Sequence, residues 1–291
     1  MEAEVKQEAF WQYGPAEPAS PVVYAVPHAG RTYPETLLTS ARVEPHVLVR
    51  LEDRLVDQVA EGLRRADAHL IVARWPRAMI DLNRDEHEFD PRLVADLPRH
   101  VHARETAKVR GGLGLVPTRL APCGPIWRGT MPFAELHRRI TQIHRPYHAA
   151  VAQALRAAHR RFGIALLVDL HSMPPLPRSY GRGEQAKIVL GDLFGRSAAS
   201  RLTALCNDVM RSAGLPTAIN APYPGSYTLE RHGAPDRGVH ALQVEIDRTL
   251  YLDDHMDLCT GSLAHMQHIL CRMDGHLQQE LLGGQALQAA E

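Results

Sequence analysis

The chain has 291 residues, 45% of them hydrophobic, which is ample for one large α/β domain with a sizeable core. Its 33 Lys and Arg residues balance its 33 Asp and Glu residues, so the overall charge argues against binding to nucleic acid or an acidic membrane surface. The N-terminus is charged, and no apolar run approaches the roughly 18 residues that span a bilayer. Four scattered cysteines without C-x-x-C spacing exclude a dense disulfide framework. We therefore expect a reduced cytoplasmic protein without nucleic-acid or membrane partners.

Apolar runs and helical spacing predict alternating strands and helices in the first half of the chain. The predicted elements are a strand at 22–28, a helix at about 44–66, a strand at 69–75 and a short strand at 78–82 that ends at Asn83-Arg84. Residues 85–131 are different, because they are rich in Pro, Gly, Arg and His and have weak periodicity. A connection of this length in a compact domain is usually functional, so we expect a long loop insertion near the site.

The second half continues the alternation. The predicted elements are a helix at 132–162 with a break near Arg145-Pro146, strands at 164–171 and 186–190, a helix at 197–212, strands at 217–221 and 241–248, and a C-terminal helix at 257–282. This order predicts a single α/β domain over residues 1–291, with a mostly parallel mixed central sheet flanked by helices.

Two histidines stand where apolar strands end. His28 closes the run that starts at Val22, and His171 closes the run that starts at Ile164. Strands buried on both faces deliver their last side chains to the crevice at the carboxyl edge of a sheet. Imidazole is the commonest protein ligand for zinc, so the two histidines with a nearby carboxylate predict a catalytic metal site. Hydrogen-bonded packing explains the same spacing equally well.

A third metal ligand is expected early in the helix that follows His28. Glu52 and Asp53 are the adjacent choices there. Asp57 lies one turn later, at i+4, so it could share a helical face with Asp53 and form hydrogen bonds that orient the metal ligands.

Glu245 interrupts an otherwise apolar strand. A carboxylate among apolar neighbours has a raised pKa, which suits it to proton transfer as a general base. The alternatives are the exposed face of an edge strand, or an ion pair with Arg84 or Arg248.

Two polar pairs are candidates for contact with a substrate. Asn83-Arg84 follows a predicted strand, and a guanidinium suits bidentate recognition of a carboxylate. An ion pair with a neighbouring acidic residue of the loop is at least as consistent with the sequence. Arg231-His232 forms a second polar pair on a turn-rich loop, where composition alone favours an ordinary solvated turn.

These residues lie in short motifs whose order resembles the N-formylglutamate amidohydrolase family, which is similar to zinc carboxypeptidases and aspartoacylase-like hydrolases. The match spans about residues 22–252. The motifs are Val26-Pro27-His28-Ala29-Gly30, Glu52-Asp53-Arg54-Leu55-Val56-Asp57, Ile80-Asp81-Leu82-Asn83-Arg84, Arg145-Pro146-Tyr147-His148, Asp169-Leu170-His171-Ser172, Gly225-Ser226-Tyr227-Thr228, Arg231-His232-Gly233 and Gly238-Val239-His240-Ala241-Leu242-Gln243-Val244-Glu245.

The resemblance implies a phosphorylase/hydrolase-like, zinc exopeptidase-like α/β fold and one zinc ion per chain. Glu52 is an alternative third metal ligand, because zinc carboxypeptidases use Glu as the third ligand, although that Glu lies much closer to their first histidine. Position by position, the resemblance implies that the metal ligands are His28, Asp53 and His171 and that the general base is Glu245. It also implies that Asn83 and Arg84 bind the substrate carboxylate, with help from Arg231.

The implied reaction is the hydrolysis of N-formyl-L-glutamate to formate and L-glutamate, a step of amino-acid catabolism such as histidine degradation. A small N-acyl amino acid is then the partner of the protein. Deacylation of another N-acyl amino acid, a metallocarboxypeptidase, and a non-catalytic anion-binding protein of the same fold stay open. The sequence leaves the native metal and the oligomeric state open as well.

Overall fold

The computed structural model describes residues 8–177 and 184–288, with side chains described as far as residue 283. This part of the chain divides into two compact units. One unit contains residues 28–52 and 72–150 together with residues 8–11. The other contains residues 12–27 and 53–71 and the described chain from residue 151 onward.

The fold is built around a seven-stranded sheet with the order β1-β3-β2-β6-β9-β7-β8. A two-stranded sheet, β4-β5, is separate from it. The strands are β1 (Phe10–Tyr13), β2 (Val22–Val26), β3 (His69–Ala73), β4 (Arg119–Leu120), β5 (Gly124–Pro125), β6 (Ala165–Met173), β7 (Ile188–Gly191), β8 (Thr217–Ile219) and β9 (Val239–Asp247).

The sheet is mixed and mostly parallel, as the sequence predicts. Strands β2, β6 and β9 pair in parallel, β7 is antiparallel to β9, and β8 is parallel to β7. Every residue of β2 and of β6 is buried. Burial on both faces explains why these strands are nearly continuous apolar runs rather than alternating ones.

The α-helices of the described residues are α1 (Glu35–Ser40), α2 (Pro45–Leu48), α3 (Val56–Val59), α4 (Glu61–Arg65), α5 (Ala107–Arg110), α6 (Phe133–Arg139), α7 (Arg145–Phe162), α8 (Ser200–Ser212), α9 (Tyr227–His232) and α10 (Thr260–Gln288). Helix α10 packs against α3, α4 and α8, and α9 packs against β6 and β9. None of the helices among the described residues combines the length and apolar character needed to cross a bilayer. The four cysteines are free thiols.

The helix predicted at 44–66 is wrong as one continuous element. A 3₁₀ turn follows α2, and Glu52 then adopts an extended conformation with φ −72° and ψ 149°. Leu55 adopts a left-handed conformation with φ 59°, after which α3 begins. These two backbone conformations end the helical hydrogen-bond pattern, so Asp53 and Asp57 do not share a helical face.

The strand predicted at 78–82 is also wrong. The amides of Met79 and Ile80 both donate to the carbonyl of Pro76, as in a turn. The Asp81 amide donates to Leu115 O at 2.7 Å instead of to a neighbouring strand. Apolar residues are buried here without strand pairing, which periodicity alone cannot distinguish from a strand.

Residues 85–131 contain only short elements. They hold a 3₁₀ turn at Pro91–Leu93, the four-residue α5 and the two-residue strands β4 and β5. Isolated bridges connect Val94 with Met131 and Ala41 with Trp127.

The helix predicted at 132–162 is present but is not broken at Arg145-Pro146. A π-helical turn, Ile140–His144, joins α6 directly to α7. Such wide turns are rare and are frequently found at functional sites.

We predict that Gly30→Ala strongly destabilises the fold. A Cβ atom at this position would lie 2.0 Å from Trp75 O and 2.8 Å from the Arg74 carbonyl carbon, and backbone atoms cannot move aside cheaply. The free energy of unfolding should fall by about 3 kcal/mol or more. Urea unfolding followed by circular dichroism measures this.

The matched control is Gly275→Ala, in the exposed part of α10, where a Cβ would meet no atom within 4 Å. Alanine has the higher helix propensity, so this variant should gain about 0.5–1 kcal/mol. Equal unfolding midpoints for the two variants would contradict the steric argument.

Candidate active site

The carboxyl ends of β2 and β6 lie side by side because the strands pair in parallel, with Ala25 opposite Asp169. His28 follows β2 after one intervening residue, and His171 lies near the end of β6. The side chains of both histidines are almost fully buried. The strand register therefore delivers both imidazoles to one edge of the sheet, as the sequence predicts.

Each imidazole is held by a buried aspartate through its Nε2 atom. His28 Nε2 lies 2.7 Å from Asp81 Oδ1. His171 Nε2 lies 3.0 Å from Asp169 Oδ2, because residues i and i+2 of a strand project from the same face. These contacts fix the orientation of both rings.

Asp53 completes a group that could hold a metal ion. One ligand atom from each of His28, Asp53 and His171 lies within 4.8 Å of the others, and all three residues are buried. The distance from His171 Nδ1 to Asp53 Oδ2 is 2.8 Å. Two imidazole nitrogens and one carboxylate oxygen are a donor set of catalytic zinc sites. A carboxylate behind each ligand histidine is the usual outer support, so the residues fit a divalent cation.

Glu52 has a different partner. Its Oε1 accepts a hydrogen bond from the hydroxyl of Tyr33 at 2.6 Å, and the side chain is buried. Asp53, and not Glu52, is the member of the group described above. This arrangement favours Asp53 as the third ligand.

The electrostatics of the site favour positive charge. Burial is the largest influence on the His171 pKa and lowers it, but the carboxylates of Asp169, Asp53 and Glu245 outweigh it and hold this pKa well above its usual value. Burial would also raise the Asp81 pKa, yet the nearby cationic side chains, chiefly Arg77, keep that pKa well below its usual value. Both effects suit a site for a cation.

Glu245 lies next to His171. The two residues are register partners in the neighbouring parallel strands β9 and β6, so their side chains project from the same face of the sheet. Strand β9 lies between β6 and β7, which excludes the alternative of an edge strand. The side chain is half-buried, and Gln243 Nε2 donates to its Oε1 at 3.1 Å.

Asn83 and Arg84 lie in a turn and not at the end of a strand. The Arg84 amide donates to Asp81 O, and the Asn83 amide donates to Asp81 Oδ1 at 2.8 Å. The Arg84 guanidinium is buried, with Nε donating to Leu113 O at 2.9 Å and Nη1 to Asn83 O at 2.6 Å. Burial lowers the Arg84 pKa, and the charge of Asp81 counteracts this effect.

The neighbouring acids of the loop have other partners. Glu86 accepts from Arg145 Nε at 2.9 Å, and Asp85 lies 3.5 Å from Arg104 Nη2. Arg84 instead approaches Asp81 Oδ2 at 4.0 Å.

Arg231 lies in the last turn of α9, so its expected place on a loop is wrong. Its side chain is exposed. The guanidinium carbon lies 5.6 Å from the centre of the Tyr227 ring, and Nη1 donates to the Tyr227 hydroxyl at 2.5 Å. This tyrosine fixes the direction of the arginine.

The sequence patterns predict no role for Asp81 and Asp169. Asp169 could have been found from its spacing, because Asp-x-His in a buried strand puts both side chains on one face. Asp81 had no comparable signal, since its approach to His28 depends on a turn that the periodicity does not reveal.

Comparison with known proteins identifies the family of this chain. The model of the family described as N-formylglutamate amidohydrolase matches residues 20–252. The chain belongs to this family. It is therefore an amidohydrolase, an enzyme that hydrolyses an amide bond.

Individual relatives of the amidohydrolase cover most of its length. An N-formylglutamate deformylase of Pseudomonas putida is 27% identical over 245 residues, which are 80% of this chain and 82% of the relative. One of Pseudomonas aeruginosa is 26% identical over 240 residues, 80% of this chain and 83% of the relative. The crystal structure of N-formylglutamate amidohydrolase from Ralstonia eutropha JMP134 superposes with a TM-score of 0.87 at 31% identity, covering 96% of this chain and 100% of that one.

We predict that Asp81→Asn and Asp169→Asn each weaken metal binding by the amidohydrolase. Each change removes the negative charge that orients a ligand imidazole and raises its basicity, so Zn²⁺ affinity should fall about 10–100-fold. Competition with a coloured chelator measures the dissociation constant.

Asp274→Asn is the matched control, since this buried carboxylate bonds to Tyr24 and Gln278 instead. Its metal affinity should equal that of the unmodified enzyme. Unchanged affinity in both test variants would contradict the supporting role of the two aspartates.

Proposed function

We propose that the enzyme hydrolyses N-formyl-L-glutamate to formate and L-glutamate with one zinc ion per chain. The observation that carries this proposal is the convergence of His28, Asp53 and His171 within 4.8 Å of one another. The strand register of Glu245 opposite His171 adds a proton acceptor to the same face of the sheet. Relatives named for this substrate support the choice of amide.

His28, Asp53 and His171 would hold the zinc ion. When bound, zinc lowers the pKa of water and polarises an acyl oxygen. Asp81 and Asp169 would orient the two imidazoles through their Nε2 atoms. Three protein ligands are the usual number in catalytic zinc sites, which would also bind water or substrate.

Glu245 would act as the general base and then as the general acid. Its carboxylate removes a proton from the attacking water and later delivers that proton to the leaving amine nitrogen. Gln243 donates to its Oε1 at 3.1 Å and so fixes the direction of the carboxylate. Glu245 thus transfers one proton from the attacking water to the leaving amine.

Arg84 would bind the α-carboxylate of the substrate, with Asn83 beside it and Arg231 contributing from α9. A guanidinium that keeps its charge while buried forms stronger charge-assisted hydrogen bonds than an exposed one. The backbone carbonyls of Leu113 and Asn83 aim this side chain. Residues 85–131 would shape the pocket around the substrate.

The proposal extends to the organisation and setting of the enzyme. The whole chain would act as a single catalytic domain with a zinc exopeptidase-like, phosphorylase/hydrolase-like arrangement. It would work in the cytoplasm on a small molecule of amino-acid catabolism, without nucleic-acid or membrane partners.

We expect purified enzyme to contain close to one zinc ion per chain. His28→Ala and His171→Ala should each abolish stoichiometric binding, because a site with two protein ligands retains zinc poorly. Elemental analysis after dialysis checks this. A chelator should stop formate release, and added Zn²⁺ should restore it. Full zinc content in both alanine variants would overturn the assignment of ligands.

We expect Glu245→Gln to lower kcat for formate release by about 10²–10⁴-fold while zinc content is retained, because only proton transfer is lost. Glu230→Gln, on the exposed surface of α9, makes the same chemical change and should keep full activity. An assay of formate and acetate release over N-formyl and N-acetyl amino acids identifies the substrate. Undiminished turnover of Glu245→Gln would remove this residue as the base.

A further inference from the structure

Three buried side chains of one helical segment donate to backbone carbonyls of the turn that carries Asn83 and Arg84. Arg139 Nη1 donates to Met79 O at 2.8 Å. His148 Nε2 donates to Leu82 O at 2.9 Å, and His144 Nε2 donates to Arg84 O at 2.8 Å. A carbonyl can only accept, so each histidine carries a proton on Nε2.

The π-helical turn explains how the three donors reach one face. His144 and His148 are four residues apart and share a face of an ordinary helix. Arg139 and His144 are five residues apart, which in an α-helix of 3.6 residues per turn would place them about 140° apart. The π-helical turn between them, Ile140–His144, has i to i+5 hydrogen bonds and brings positions five apart into line.

The two histidines are built into the interior. Each has an exposed fraction of 1% or less, and their ring centres are 4.5 Å apart. Tyr147 packs edge-on against the His148 ring at 5.4 Å. Rings packed in this way have little rotational freedom, so their Nε2 atoms present donors in fixed positions.

We propose that His144 and His148 are positioning residues for the substrate. They fix the backbone on both sides of Asn83, and thereby the place where the Arg84 guanidinium meets the substrate carboxylate. This inference rests on the proposed function, in which Arg84 binds that carboxylate. In this proposal the π-helical turn aligns Arg139 with the two histidines, so that all three donors hold residues 79–84 in place.

The test is a pair of matched substitutions, His148→Gln and His148→Asn. The amide nitrogen of glutamine lies close to where Nε2 of histidine lies, so it can donate to Leu82 O. The amide nitrogen of asparagine lies near the place of Nδ1 and falls short. Both substitutions replace the ring with a neutral amide, so they differ chiefly in how far the amide donor extends from the backbone.

The readouts are kcat and KM for N-formyl-L-glutamate and for its α-amide, which lacks the carboxylate that Arg84 would bind. His148→Gln should stay within about threefold of the unmodified enzyme for both substrates. His148→Asn should raise KM for N-formyl-L-glutamate about tenfold with kcat nearly unchanged, since one misplaced charged contact costs about this much. Its KM for the α-amide should not change.

Arg84→Gln separates the two proposals. It should abolish the preference for the carboxylate over the α-amide, and adding His148→Asn to it should have no further effect on KM. If Arg84→Gln leaves the preference intact, the proposed role of Arg84 in substrate binding fails, and the positioning role fails with it.

If Arg84→Gln acts as expected but His148→Asn lowers kcat/KM equally for both substrates, the histidine only supports the fold and the positioning proposal alone is overturned. The positioning proposal is also overturned if His148→Gln and His148→Asn behave alike. Should His148→Asn fail to fold, His144→Gln and His144→Asn give the same comparison at Arg84 O.

Discussion

The buried carboxylate of Asp81 is the interaction on which the rest of the site depends. It accepts from His28 Nε2 at 2.7 Å, from Arg77 Nε at 2.8 Å and from the Asn83 amide at 2.8 Å. A buried carboxylate is tolerated only when its charge is compensated, and removing one partner of a buried ion pair costs about 3–5 kcal/mol. One group therefore ties the orientation of an imidazole in the candidate metal site to the conformation of the turn that carries Asn83 and Arg84.

The same chemical arrangement occurs twice, on different backbones. Asp169 reaches His171 because the two residues alternate along one regular strand, whereas Asp81 reaches His28 from an irregular turn. The Asp169–His171 pair is held rigidly because both residues belong to the hydrogen-bonded strand β6. The Asp81–His28 pair depends on an irregular turn, which hydrogen-bond donors from α6, the π-helical turn and α7 support. This difference explains why one aspartate has a local sequence signature and the other does not.

Much of the sheet and part of the site could be predicted from the sequence. Strands β2 and β6 are long apolar runs that end near histidines, and their parallel pairing follows from the alternation of elements. The chain around Asp53 could not be predicted, because the left-handed Leu55 breaks a helix whose apolar spacing is otherwise regular. The turn at Asp81 could not be predicted either, because the Asp81 amide bonds to Leu115 O, which is distant in the sequence. Hydrophobic periodicity carries no information about such a contact.

The three donors beneath Asn83 and Arg84 bond to main-chain oxygen atoms, those of residues 79, 82 and 84. Every amino acid contributes the same carbonyl group, so replacing Asn83 or Arg84 leaves these three hydrogen-bond acceptors in place. If Asn83 and Arg84 bind the substrate as proposed, substrate preference can change by substitution at these two positions while the scaffold beneath them persists. Such a division gives a family room to diversify over new acyl amino acids without first rebuilding its architecture.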